Sequence, residues 1–459
     1  MTTQASFPEL EETIELFQEL IRNECVNPPG NEIKSIKTIE RFLKSKGIES
    51  RIFESAKNRA NLIAKIKGSD ESSPGLIFGP SHVDVVPVTK PDEWDVEPFS
   101  GEIKDGFIWG RGAIDMLFIV ATQVNAFAKL YQEGFKPKGD LILFIVSDEE
   151  TGGKLGTEWM LENHPEELNI GLRKMTAVTE SGGISIAPGK LVFISGEKGT
   201  AWKTLRFKGT PLHGSMPFAS DNAVLKASEA ALLLTEYCDK KIPLETEYIS
   251  NLTKGMGMNI FLRMLLTNKR LIPLALKILK NTNPPIAKLI HSLSRMTISP
   301  NIIRGGSKTN IIAANADLHL DIRTLPSQNE SYVIYHLKKA LGKLSEEVEI
   351  LQNTEEGVEY LGSDSPVDSD IIQSMQKAIA KEIEIRNLVP LLGMGATDGR
   401  FTRTQGIDTY GFALFDPELP MTHYIDLTHG VNERITIKTV DLSLKIYYYL
   451  AKDYLFDEV

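Results

Sequence analysis

The chain has 459 residues, 42% hydrophobic and 24% charged, the make-up of a folded protein of about two or three domains rather than a fibrous or disordered one. Its 51 basic and 61 acidic side chains leave a formal charge of −10, which argues against a dedicated nucleic-acid binder. Two cysteines, Cys25 and Cys238, cannot build a disulfide framework or a thiolate zinc site, so a reducing compartment fits.

The first residues carry neither a basic nor an apolar leader, and no run of 18 apolar residues occurs; the expected address is the cytoplasm. An opening helix is predicted over 8–24, with Leu10, Ile14, Phe17 and Ile21 on one stripe, broken by Asn27-Pro-Pro-Gly-Asn31. Short strands are predicted at 61–67 and 75–79, and a helix from about Ile114 to Glu133, ending at Gly134. Leu141–Val146 is apolar throughout, as a strand covered on both faces would be. Alternating helices and buried strands predict an α/β domain with a mixed sheet flanked by helices.

The texture changes near Gly196. Strands at 204–208, 317–323 and 347–351 alternate with helices at 222–237 and 330–341, the order of a ferredoxin-like α+β unit. The predicted organisation is a discontinuous catalytic domain, 1–195 and 353–459, interrupted by a second domain, 196–352. Within the latter, residues 251–300 carry eight Lys and Arg and no Asp or Glu, and are also apolar. A helical insertion with a solvated basic face accounts for this; an anion-attracting wall, a dimer contact and a membrane-surface helix are the functional alternatives.

Five places offer ligands for a metal ion: His82 with Asp84, Asp115, Glu149-Glu150, Glu180 and His429. Each is predicted at the carboxyl end of a strand or in the loop after it, the edge where open α/β sheets hold ligands. Two histidines and three carboxylates can bind two divalent ions if one carboxylate bridges. Without thiolate the set suits zinc, with cobalt or manganese as substitutes. A carboxylate left over can move protons, so the composition of the site points to metal-assisted hydrolysis.

These residues lie in ordered motifs: Ser81-His-Val-Asp84, Trp94 with Pro98-Phe99, Asp105 to Met116, Ser147-Asp-Glu-Glu-Thr-Gly-Gly153, Gly196-Glu-Lys-Gly199, His213-Gly-Ser-Met-Pro217, Gly395-Ala-Thr-Asp-Gly-Arg400 and His429-Gly-Val-Asn-Glu433. Over nearly its whole length the chain resembles the zinc aminoacylase, carboxypeptidase and succinyl-diaminopimelate desuccinylase family of co-catalytic metallopeptidases. The resemblance implies two zinc ions per chain, one held by His82 and Glu180, the other by Glu150 and His429, with Asp115 bridging. It implies that Asp84 fixes the His82 ring, that Glu149 is the general base, and that a cis peptide follows Asp115. It also implies that His213 steadies the oxyanion in a neighbouring subunit's site, making the inserted domain a lid and dimerisation domain. Asn310, Arg323 and Arg400 resemble contacts to a substrate carboxylate, and Gly395 and Gly399 a tight loop beside it. The chain departs from the pattern at Leu117-Phe118, where many relatives have Lys-Gly, and at Ala313, where proline is usual.

Glu rather than Asp at position 180 resembles the deacylase and carboxypeptidase branches, and the insertion at 251–300 resembles the carboxypeptidase S and N-fatty-acyl amino acid hydrolase branch. The expected reaction is hydrolysis of a small peptide or N-acyl amino acid, releasing an amino acid with a free carboxylate. The insertion is expected to shelter an acyl chain or peptide side chain. A dipeptidase, a succinyl- or acetyl-amino-acid deacylase and a metal-loaded peptide-binding protein are the rival readings; membrane-surface contact by 251–300 is not favoured.

Overall fold

The computed structural model describes residues 7–352, 359–385 and 387–456. The predicted domain boundary at 353 and the first six residues lie outside them. The chain divides into two compact units, one comprising 1–196, 364–391 and 397–459, the other 197–363 and 392–396. Residues 359–363 and 392–396, expected in the first domain, cluster with the second. Tyr360 pairs with Thr200 across an isolated bridge, and the Lys198 amide donates to the Gly393 carbonyl (3.0 Å), which explains the difference.

The first unit is built on a mixed sheet. Its centre is parallel, running Leu141–Val146, Gly75–His82, Met175–Thr179 and Asp408–Gly411, with Arg59–Ile66 and Ser50–Ala56 added antiparallel. Alternate residues of these strands feed different cores. Leu62, Leu76, Phe78, Leu141, Leu143 and Ile145 join one, with the helices Glu9–Arg22, Phe118–Gln132 and Ile437–Leu455. Ile63, Ile77, Ile142, Phe144 and Val146 join the other, with Met160 and Leu161 of Thr157–Asn163. Because side chains alternate across a strand, covering both faces requires the continuous apolar run read at 141–146. The opening helix buries Thr13, Leu16, Phe17, Leu20 and Ile21, and Leu10 and Ile14 pack half-buried against the same core. The segment Ala113–Gln132 is apolar and long enough to cross a membrane, yet 89% of its most apolar window is buried inside the unit as a core helix.

The second unit holds a five-stranded antiparallel sheet in which Asn315–Thr324 pairs with Lys203–Lys208, Thr297–Gly305 and Gly199–Thr200, and Lys203–Lys208 pairs with Val348–Gln352. Helices Ala223–Lys240 and Glu330–Leu341 share its core. The basic segment forms four helices between Glu247 and Leu293, and its last residues, 297–300, begin a strand. One of its cations is not solvated: Arg295 is buried and donates to the carbonyls of Cys238 (3.3 Å) and Asp239 (2.9 Å).

Candidate metal centre

The strand Gly75–His82 carries His82 to its end, where the ring is 1% exposed. A carbonyl only accepts, so the Asp84 carbonyl 2.9 Å from Nδ1 places the proton on Nδ1 and leaves the Nε2 lone pair facing outward. That Nε2 stands 3.1 Å from Asp115 Oδ1 and 3.9 Å from Glu180 Oε2. The other oxygen of Asp115, Oδ2, is 3.4 Å from His429 Nε2, which is 3.3 Å from Glu150 Oε1. Asp115 thus turns one oxygen to each histidine. Two groups, His82–Asp115–Glu180 and Asp115–Glu150–His429, share it, each with ligand atoms within 4.8 Å of one another.

Glu150 and Glu180 follow strands of the main sheet, in turns with left-handed backbone. Asp148 has φ +73° before Glu149–Glu150, and Ser181 φ +69° after Glu180. Gly183 (φ +79°) admits no other residue, since a Cβ there would lie 1.2 Å from the Ala413 carbonyl oxygen. Asp115 and His429 depart from the strand-end expectation. Asp115 sits in a non-helical turn (φ −119°, ψ 98°) ahead of the helix Phe118–Gln132, and His429 follows the helix Met421–Leu427. The expected helix start at Ile114 is therefore four residues early. The peptide bond Asp115–Met116 is cis, as the family resemblance implied.

Burial pushes the carboxyl groups of Glu149, Glu150 and Glu180 up, Glu180 to about 8, with Asp115 adding repulsion at Glu180. Asp115 and Glu150 hold the His429 imidazole up at about 10. Burial works against ionised Asp115, but the two imidazoles outweigh it and keep that carboxyl well below its usual range. Glu150 Oε1 is buried without a hydrogen-bond partner. Ligands of one ion stand this way, and an excess of buried carboxylate around two imidazoles is stabilised by divalent cations. The residues fit such ions. The second unit holds a third grouping, Cys238, Asp239 and His291. Burial and the nearby Arg295 cation lower the His291 imidazole to about 4, an electrostatic setting that disfavours a metal ion.

Residues absent from the expected set hold the centre in place. Asn27 Nδ2 stands 2.8 Å from Asp84 Oδ2 and 2.9 Å from Thr151 Oγ1. Arg59 donates to Glu32 (2.7 Å) and Asp148 (2.6 Å). Buried Glu433 accepts from the Ile114 amide (2.8 Å) and from Arg111 (2.5 Å), and Arg111 also donates to the His429 carbonyl (3.1 Å). Arg111 and Glu433 were visible as motif letters; Asn27 read only as a helix breaker, and Arg59 carried no local signal.

The remaining predicted residues divide between the two units. His213 is exposed, in the second unit; its Nδ1 accepts from the Ser215 amide (3.2 Å), so Nε2 carries the hydrogen. Asn310 lies next to it, its carbonyl accepting from the Gly214 amide (2.8 Å). Arg323, in the same unit, donates to Asp321 (2.8 Å) and Thr200 (2.9 Å). Arg400 is buried in the first unit, donating to the carbonyls of Thr397 (2.7 Å) and Gly152 (2.9 Å). Gly395 is exposed in the 392–396 segment.

Residues 80–453 match peptidase family M20/M25/M40. The chain belongs to this family. It is 26% identical over 422 residues to probable carboxypeptidase S-like 2 of Dictyostelium discoideum, covering 86% of this chain and 74% of that protein. It is also 26% identical over 401 residues to the N-fatty-acyl-amino acid synthase/hydrolase PM20D1 of Xenopus tropicalis, covering 85% and 74%. The crystal structure of the M20 family metallo-carboxypeptidase Sso-CP2 from Sulfolobus solfataricus superposes with a TM-score of 0.68 over 98% of this chain and 99% of that one, at 19% identity. The protein is thus a metallohydrolase of the peptidase and amidohydrolase kind, cleaving amide or peptide bonds.

Proposed function

We propose that the enzyme hydrolyses an N-acyl amino acid or small peptide, releasing an amino acid with a free carboxylate, at a centre of two zinc ions. The observation that carries this reading is Asp115, with one oxygen toward His82 and the other toward His429. His82 and Glu180 would hold one ion and Glu150 and His429 the other, with cobalt or manganese as substitutes. When bound, such ions supply Lewis acidity toward the scissile carbonyl and toward water. Glu149 takes a proton from the attacking water and delivers it to the leaving amine; burial raises its carboxyl above the usual range, which favours the proton-holding half of that exchange. The C–N bond breaks, the water oxygen stays with the acyl carbon, and the amine leaves protonated.

Asp84 acts through the turn and ring it holds. His213, with Nε2–H outward, is the oxyanion donor, reaching the site of a second copy in a homodimer formed through the second unit. The exposed Leu212, Met216, Phe218 and Ile311 around it support an interface there. The strand–helix pattern of that unit supports its reading as a ferredoxin-like lid. Arg323 and Asn310 receive the substrate carboxylate, with Gly395 in the adjoining loop. Arg400 contributes to the loop that its two carbonyl contacts fix. The relatives described as carboxypeptidase S-like and N-fatty-acyl-amino acid hydrolase favour an acyl or peptide substrate over the dipeptidase reading.

Amine release from a panel of N-acyl amino acids and dipeptides tests this. Turnover of carboxylate-bearing substrates, lost when the carboxylate is amidated, is the expected result. Equal turnover of the amidated forms contradicts it.

A further inference from the structure

An apolar pocket of about 230 Å³ opens beside Asp115 and Glu180, wholly within the first unit. Ile119 and Phe415, nearly fully buried, form part of its wall, and Met421 and Ile425, 37% and 57% exposed, stand at the solvent side. Two of its hydroxyls are already taken: Tyr424 donates to the Asp416 carbonyl (3.2 Å) and Thr428 to the Tyr424 carbonyl (2.9 Å). Among the described residues lining it there is no Lys, Arg or His. Such a pocket offers no cation to a carboxylate and favours hydrocarbon.

We propose that this pocket receives the acyl group of an N-acyl amino acid, as an apolar chain of about six to nine carbons. The size follows from volume: a cavity of about 150 Å³ takes benzene, so this one holds about half as many carbons again. The half of the substrate follows from placement. The pocket opens at two carboxylates of the candidate metal centre, where the scissile carbonyl must come, and the acyl chain starts on that carbonyl carbon. The amino acid half carries the carboxylate, for which the pocket has no cationic side chain. The proposal rests on the hydrolase reading above and adds the class of acyl group.

The test uses the metal-loaded enzyme with one fixed amino acid and acyl chains of two to twelve carbons. The expected kcat/KM rises about threefold to fourfold per methylene and levels off at about eight or nine carbons. Straight-chain carboxylic acids of the same lengths, titrated by calorimetry, are expected to show the same gradient in Kd. In Ile425→Asp, at an exposed position that folding tolerates, the octanoyl-to-acetyl ratio of kcat/KM falls about tenfold or more. A flat series in both kcat/KM and Kd overturns the proposal, as does a gradient that follows the amino acid side chain instead. A length gradient in acid binding without turnover of any amide supports the pocket and overturns the hydrolase reading.

Discussion

Asp84 Oδ2 stands 3.0 Å from the amide nitrogen of Glu150, and Oδ1 3.2 Å from that of Glu149. The same carboxylate accepts from Asn27, while the Asp84 carbonyl fixes the His82 ring. One buried residue therefore holds His82 of one candidate metal group, Glu150 of the other and the proposed general base, Glu149. Outer partners of this kind typically govern metal affinity by about 10- to 100-fold. Asp84→Asn replaces an acceptor with an amide facing backbone N–H groups. We expect a loss of that size in metal affinity, read by titration with a competing chelator. Unchanged affinity contradicts the assignment.

Arg111 and Glu433 are both nearly inaccessible, 1% and 0% exposed, and burial raises the Glu433 carboxyl to about 7 despite the guanidinium. Removing one partner of such a pair strands a buried charge, at about 3–5 kcal/mol. Arg111→Met is expected to destabilise the protein by about that much in urea unfolding. The double variant with Glu433→Leu regains part of the stability but not metal affinity, because the Ile114 amide has lost its acceptor. Recovery of both makes the pair purely structural.

Lys198 is 1% exposed and donates to the carbonyls of Ser292 (2.8 Å) and Arg295 (3.0 Å). Burial lowers its ammonium to about 7. An unfolded lysine titrates near 10.4, so between about pH 7 and 10 the unfolded chain binds the extra proton and stability rises with pH, by up to about 1.4 kcal/mol per unit. Below about pH 7 both states are charged and that gain is gone. The stability of wild type relative to Lys198→Met is expected to be greater at pH 9.5 than at pH 6.5. A pH-independent difference contradicts a neutral Lys198.

His213 and Glu149 are proposed to serve one site from two copies. His213→Ala alone is expected to lower kcat by about 10²–10³. Mixing it with Glu149→Ala chains, with subunit exchange verified by mass, is expected to restore turnover. No recovery under verified exchange assigns His213 to its own chain.

The parallel centre of the sheet was legible because both faces are covered, so Leu141–Val146 shows in composition alone. The helix start was misread because the backbone at Ile114 and Asp115 is set by Glu433, 319 residues after Ile114, a pairing no local pattern carries. His429 is legible as a candidate ligand but not as the end of a helical turn, since its left-handed φ of +60° depends on neighbours distant in sequence. Asn27 and Arg59 were missed for the same reason: their work is to join segments, and a hydrogen bond across the fold leaves no period or spacing. The helix Ile33–Ser45 was legible, with Ile36, Ile39 and Leu43 buried on one stripe, but was not read.

The most direct test counts metal in wild type and Glu149→Gln side by side, with turnover of the best substrate. We predict about two ions per chain in both proteins and a fall in kcat of about 10²–10⁴ in the variant, because the base is lost while the ligands stay. Fewer than two ions after reloading, or full turnover in the metal-replete variant, would contradict the shared role of Asp115 or the role of Glu149 respectively.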